Sequence, residues 1–121
     1  MQTELEHDYP EVNIQIIGIN QIGYGAGNEA ICTGRDIPWL QDVPGTDVWT
    51  SWSVTYRDVI ILDTDNVKVG TFNVTVNDLA ISENYNTLQQ MLVDAAAVPE
   101  PTTALLSACA LATLALLRRR R

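Results

Sequence analysis

The chain has 121 residues, a formal net charge of −8 and 46% hydrophobic residues, enough for one small domain and little more. Four of its seven basic residues are Arg118, Arg119, Arg120 and Arg121, so residues 1–97 hold Arg35, Arg57 and Lys68 against every carboxylate except Glu100, a net charge near −11. Such a surface repels phosphates and anionic lipid headgroups, which excludes nucleic acid as a partner.

In chain order, residues 3–8 read as the end of a helix that Pro10 stops. Residues 12–19 alternate and then turn continuously apolar, which predicts a buried core strand of a parallel or mixed sheet. A glycine-rich loop follows over 20–27. Its Gly23-Tyr24-Gly25-Ala26-Gly27 run does not have dinucleotide-binding spacing, because the third glycine of that pattern would fall at Asn28. Residues 28–35 predict a short helix with Ala30, Ile31 and Cys32 as its apolar contacts, and 37–42 an extended segment led by Pro38. Pro44-Gly45 centres a turn, and Trp49, Trp52 and Val54 recur over the next stretch.

Residues 59–62 are a second apolar strand, 63–66 a hairpin turn by composition, and 67–76 an alternating antiparallel partner. Ser82 is the expected N-cap of a closing helix over 83–93, with Tyr85, Leu88, Met91 and Leu92 on one face.

Residues 98–121 form a separate unit: Val98-Pro99-Glu100-Pro101, an apolar run over 102–117, and the cluster Arg118-Arg119-Arg120-Arg121. The two prolines stop any helix arriving from the N-terminal side. The apolar run is short of the ~20 residues that a hydrocarbon core usually takes. Terminal arginines snorkel, however, and a basic cluster beside a span stays on the cytoplasmic side, which would put residues 1–97 outside. Pro-Glu-Pro, a short transmembrane helix and a terminal arginine cluster resemble the PEP-CTERM sorting signal of Gram-negative bacteria. The resemblance implies recognition and processing by an exosortase, a membrane-embedded cysteine transpeptidase-like enzyme. An ordinary tail anchor is the plain alternative, though it has no need of Pro-Glu-Pro.

Candidate chemistry in the domain is sparse. Cys32 and Cys109 are not expected to pair, since Cys109 lies in the apolar run, so the domain holds one thiol and no disulfide framework. Cys32, with Arg35 one helical turn away, is the only candidate nucleophile, and its place beside Ala30 and Ile31 predicts burial as a small hydrophobe. Asp63 and Asp65 open like a calcium loop but lack its later ligands, and His7 has no second histidine for zinc. Arg57-Asp58 reads as an ion pair or a corner. Trp39, Trp49 and Trp52 would serve core packing or a sugar-stacking face.

The polar, acidic start at Met1 lacks the basic end and apolar core of a secretory signal, and a longer parent with sequence before Met1 is expected. The order of elements resembles the thioredoxin fold from its first helix onward. The local sequence resembles the redoxin branch, in Ile37-Pro38-Trp39-Leu40-Gln41-Asp42, Trp52-Ser53-Val54 and Arg57-Asp58-Val59-Ile60-Ile61-Leu62-Asp63. The family's cis-proline position holds Tyr56-Arg57-Asp58 instead, and its cysteine motif would fall before Met1.

The expected class is therefore α/β, a partial thioredoxin-like fold with a mixed sheet of about three to four strands and flanking helices, plus one C-terminal transmembrane helix. The expected domains are 1–97, outside the cytoplasm, and 98–121, the sorting signal. No catalytic, cofactor or metal residue is expected. The exosortase and the membrane, through residues 102–117, are the expected partners in the cell envelope. The rival reading is a surface or matrix protein that binds exopolysaccharide or another envelope protein.

Overall fold

The computed structural model describes residues 1–97; the sorting-signal residues and the expected transmembrane helix over 102–117 lie outside the described residues. The elements run α1 Gln2–Asp8, β1 Gly18–Asn20, a 3-10 turn Gly25–Gly27, α2 Asn28–Cys32, β2 Trp39–Gln41, α3 Val48–Ser51, β3 Asp58–Leu62, β4 Lys68–Asn73 and α4 Ser82–Ala96. The class is mixed α/β. No helix among the described residues is long and apolar enough to cross a membrane.

The strands form two sheets of two. β1 and β2 are parallel, with Gly18 opposite Trp39, and β3 and β4 are antiparallel, with Val59 opposite Phe72. The expected single mixed sheet is therefore corrected. The redoxin resemblance needs residues 12–19 beside 59–62, and neither described sheet contains that pairing.

The expected buried strand over 12–19 is corrected as well: only Gly18–Asn20 pairs, and Ile17 is 49% exposed. The cause is local. The amide of Gly18 donates to the carbonyl of Pro38 at 2.8 Å. Proline's missing donor and the departure of the chain towards α2 leave β2 nothing to offer residues 14–17. Over 11–17 the side chains still alternate between exposed and half-buried, as in a strand covered on one face.

The hairpin forms for the reason its composition gives. Asp63 Oδ1 accepts the amides of Asp65 and Val67, both at 2.9 Å, and Asn66 takes the left-handed conformation at φ 60° that asparagine tolerates. A register shift at Ile61/Leu62 lets the ladder absorb an irregular pair. β4 stops at Asn73, short of the expected Val76, because Asn73 Oδ1 turns to accept the amides of Thr75 and Val76.

The helix α4 covers one face of this hairpin. Ile61, Phe72 and Leu88 form the buried cluster, with Val59, Val74, Leu79, Met91, Leu92 and Ala95 packed around it. Leu88, Met91, Leu92 and Ala95 follow the spacing of one helical stripe. Ser82 is not the N-cap; it is the first helical residue, and the cap position belongs to Ile81, which makes no side-chain bond. Asp78 shapes the entry instead, with Oδ1 accepting the Ala80 amide at 2.9 Å and its carbonyl accepting from Asn84 Nδ2 at 3.0 Å.

α1 joins the two halves. Leu5 is its single buried residue, and Met1 packs against the Ile61–Phe72–Leu88 cluster. Glu4 accepts a hydrogen bond from the hydroxyl of Tyr85 in α4, while Gln2 reaches the other way, to Ile14 and Ile16.

Candidate functional site

The residues with the clearest functional pattern, Val98, Pro99, Glu100, Pro101 and Arg118 to Arg121, lie outside the described residues. Within 1–97 the site candidates are Cys32, the tryptophans and the Asp63 turn, and the fold places each of them.

Cys32 is exposed, against the expected burial. α2 is only five residues long and ends at once: Gly34 adopts φ +71° and the Arg35 amide returns to the carbonyl of Cys32 at 3.1 Å. So short a helix packs no face against a core. The Arg35 guanidinium does not attend the thiol. It donates to the carbonyls of Ala30 and Ile31, at 3.4 and 2.6 Å, where a cation satisfies the open end of the helix.

Beside Cys32 lies an apolar cleft of about 230 Å³ lined by Ile16, Ile17, Gly18, Ile31, Arg35, Ile37 and Trp39. An apolar lining of this kind, with one thiol and one committed guanidinium, offers no general base and no oxyanion donor pair.

Two of the three tryptophans are structural. Trp39 Nε1 donates to Asn28 Oδ1 at 2.7 Å, and Trp49 Nε1 donates to the carbonyl of Ile19 at 3.2 Å. Buried indoles are normally satisfied in this way. The first bond belongs to an amide network: Asn20 Nδ2 lies 2.8 Å from Asn28 Oδ1 and from the Tyr24 carbonyl, and Asn28 Nδ2 donates to Gln41 Oε1 at 3.0 Å. The network ties the glycine loop to the parallel pair. Trp52 alone stands open, and Tyr56 is exposed near it in sequence.

No family model, curated protein or solved structure matches this chain.

Asp42, which ends the redoxin-like segment 37–42, carries no expected role in the sequence, yet the fold gives it one. It is a buried carboxylate, and its two oxygens accept the amides of Val43 at 2.9 Å and Trp49 at 3.2 Å. Those bonds make it a brace between β2 and α3, and a buried carboxylate holding two backbone donors needs no ligand to explain it. The segment 37–42 marks its position, but nothing in the sequence announces its burial or its bond to the amide of Trp49. Arg57-Asp58 resolves into the corner rather than the ion pair: Arg57 sits at φ 65°, and Asp58 accepts the Thr55 amide at 2.7 Å and Asn73 Nδ2 at 2.8 Å. Asp63 and Asp65 form the hairpin turn described above, and among the described residues no group of three or more His, Cys, Asp or Glu is placed to hold a metal ion.

Proposed function

We propose that the chain is an exported cell-envelope protein delivered by a sorting signal over residues 98–121 and carrying a small, non-catalytic domain. The observation behind the proposal is the order of three parts in the sequence: Val98-Pro99-Glu100-Pro101, the uncharged run 102–117, and Arg118-Arg119-Arg120-Arg121. Apolar length, positive-inside charge and a proline stop act together there. Residues 102–117 insert in the inner membrane with the acidic domain outside the cytoplasm, and an exosortase then shortens the chain near Pro99-Glu100-Pro101. The domain's charge near −11 suits a soluble life on that side. With a signal peptide supplied, in a host with an exosortase, the isolated protein is expected to end near residues 98–101 by intact-mass spectrometry. A product that retains Arg121 overturns the sorting reading.

We propose a thioredoxin-like relation for this domain only over the hairpin β3–β4 and the helix α4 that covers it, since the pairing of β1 with β3 is missing among the described sheets. Thiol exchange needs an attacking thiolate and a second thiol to resolve the mixed disulfide, and residues 1–97 contain Cys32 alone. Exposure of Cys32 makes the test sharper than burial would. The full chain in detergent micelles is expected to reduce insulin, with dithiothreitol as donor, no faster than its Cys32→Ser variant. A faster rate that the serine variant loses overturns the non-catalytic reading.

A second reading, a surface protein that binds exopolysaccharide or another envelope protein, draws on Trp52 and Tyr56, whose rings are exposed while Trp39 and Trp49 are bonded within the fold. Exposed aromatic rings stack on sugar CH faces.

A further inference from the structure

The segment 12–17 has the side-chain alternation of a strand but no strand beside it. Besides Gln15 Nε2, which donates to the adjacent carbonyl of Ile16 at 3.2 Å, one side chain from elsewhere in the chain meets its backbone. Gln2 Nε2 donates to the carbonyl of Ile14 at 2.9 Å, and Gln2 Oε1 accepts the amide of Ile16 at 2.8 Å. These are the two bonds that a single residue of a parallel strand makes with the residues flanking its opposite number. A primary carboxamide carries the same donor and acceptor as a peptide unit, so Gln2 occupies the place of one strand residue on this edge.

Gln2 is held there by the rest of α1. Leu5 is 1% exposed, Met1 packs on the Ile61–Phe72–Leu88 cluster, and Glu4 accepts from Tyr85 of α4. The contacts fasten the helix to the larger half of the domain while its first residue covers the edge of the smaller half.

The edge beneath is chemically unprotected. From Val12 to Asn28 the sequence contains no charged residue and no proline, whereas open edges are normally blocked by lysine, proline, a bulge or an inward charge. Val12-Asn13-Ile14-Gln15-Ile16-Ile17 joins high β-propensity to zero charge, the composition of segments that pair with copies of themselves. The carboxylates of the domain oppose association of whole molecules, but that repulsion is long-ranged and screened by salt within about 10 Å at 0.1 M. From Val12 on the edge is neutral, and local opposition to its pairing with an identical edge is confined to Pro10 and the exposed Glu11 at its start.

We infer that α1 is a strap over a strand-accepting edge at residues 13–17, and that the partner this edge accepts is the same segment of a second copy of the chain. Release of Gln2 exposes the carbonyl of Ile14 and the amide of Ile16, and strand pairing between copies satisfies them. The assembly rises with salt because screening removes the opposing charge. The inference uses only residues 1–97 and stands apart from the sorting reading.

The test uses the full chain in detergent micelles, with amide hydrogen exchange read at Ile16 by NMR and assembly read by sedimentation velocity at two salt concentrations. The wild type is expected to protect the Ile16 amide and to sediment as a monomer. Gln2→Ala keeps a good helix former and is expected to speed Ile16 exchange about tenfold and to give concentration-dependent oligomers that grow with salt. Gln2→Glu, of the same shape, sets a carboxylate oxygen against the Ile14 carbonyl and is expected to act likewise. Adding Gln15→Lys, at an exposed position on the segment, is expected to restore the monomer while Ile16 exchange stays fast. Unchanged Ile16 exchange in both Gln2 variants, monomeric variants with fast exchange, or oligomers that survive Gln15→Lys each overturn the inference.

Discussion

Leu88→Ala is expected to destabilise the domain by roughly 3 kcal/mol and to lower its Tm by roughly 12–24 °C, at about 4–8 °C per kcal/mol for a domain of this size. Leu88 is 3% exposed and meets Ile61 and Phe72 at the centre of the only multi-residue buried cluster among the described residues. Alanine is the best helix former, so the substitution leaves α4 intrinsically as helical as before, and the loss reports packing alone. A domain that buries so few side chains fully has little reserve, since net stabilities of native proteins are about 5–15 kcal/mol. Thermal unfolding of the full chain in micelles, followed by circular dichroism, reads the shift. Gln90→Ala, on the exposed side of the same helix, removes a side-chain bond to Asp94 and is expected to move stability by no more than about 0.5 kcal/mol. A Leu88→Ala variant that melts with the Gln90→Ala control contradicts the assigned core.

What was legible in the sequence follows how local each signal is. The hairpin and closing helix were legible because turn chemistry at Asp63 and Asn66 and the stripe Leu88, Met91, Leu92 are set within a few residues. The fate of 12–19 was not. A continuous apolar run reads as buried when neighbouring strands are assumed, and here the neighbour on one edge is the side chain of Gln2, ten residues or more away in sequence. The two-sheet topology was hidden for the same reason. Apolar strands declare that they want partners without naming them.

The chemistry of single side chains was legible only where it was local. Arg57-Asp58 could be narrowed to a corner or an ion pair, but choosing between them needed the positive φ of Arg57 and the distant amide of Asn73. Cys32 is exposed although Ala30 and Ile31 beside it have the composition of a buried face. α2 ends one residue after a single turn, so Ile31 and Cys32 line an open cleft instead. Asp42 shows the opposite failure: its burial depends on the amide of Trp49, seven residues on, and no composition rule marks it.

Gly18→Ala is expected to disrupt the smaller half of the domain by roughly 2–3 kcal/mol, although it adds one methyl group. A Cβ built on Gly18 would fall within the ring of Trp39, against Cε3 and Cζ3. Those atoms belong to a rigid indole, so the ring must swing out as a whole. Doing so breaks the Trp39 Nε1 bond to Asn28, and the amide network that ties the glycine loop to β2 loses its acceptor arrangement at Asn28 and Gln41. The parallel pair, which registers Gly18 against Trp39, then loses its first rung, and the cleft beside Cys32 loses the ring that forms one wall. The expected readout is a red-shifted tryptophan emission at native temperature together with a lowered unfolding midpoint. Gly45→Ala is the matched control, because a Cβ there meets nothing within 4 Å. The two glycines separate close approach from glycine content. If Gly18→Ala and Gly45→Ala share one emission maximum and one midpoint, Trp39 does not lie over Gly18, and the β1–β2 pairing that shapes the cleft is wrong with it.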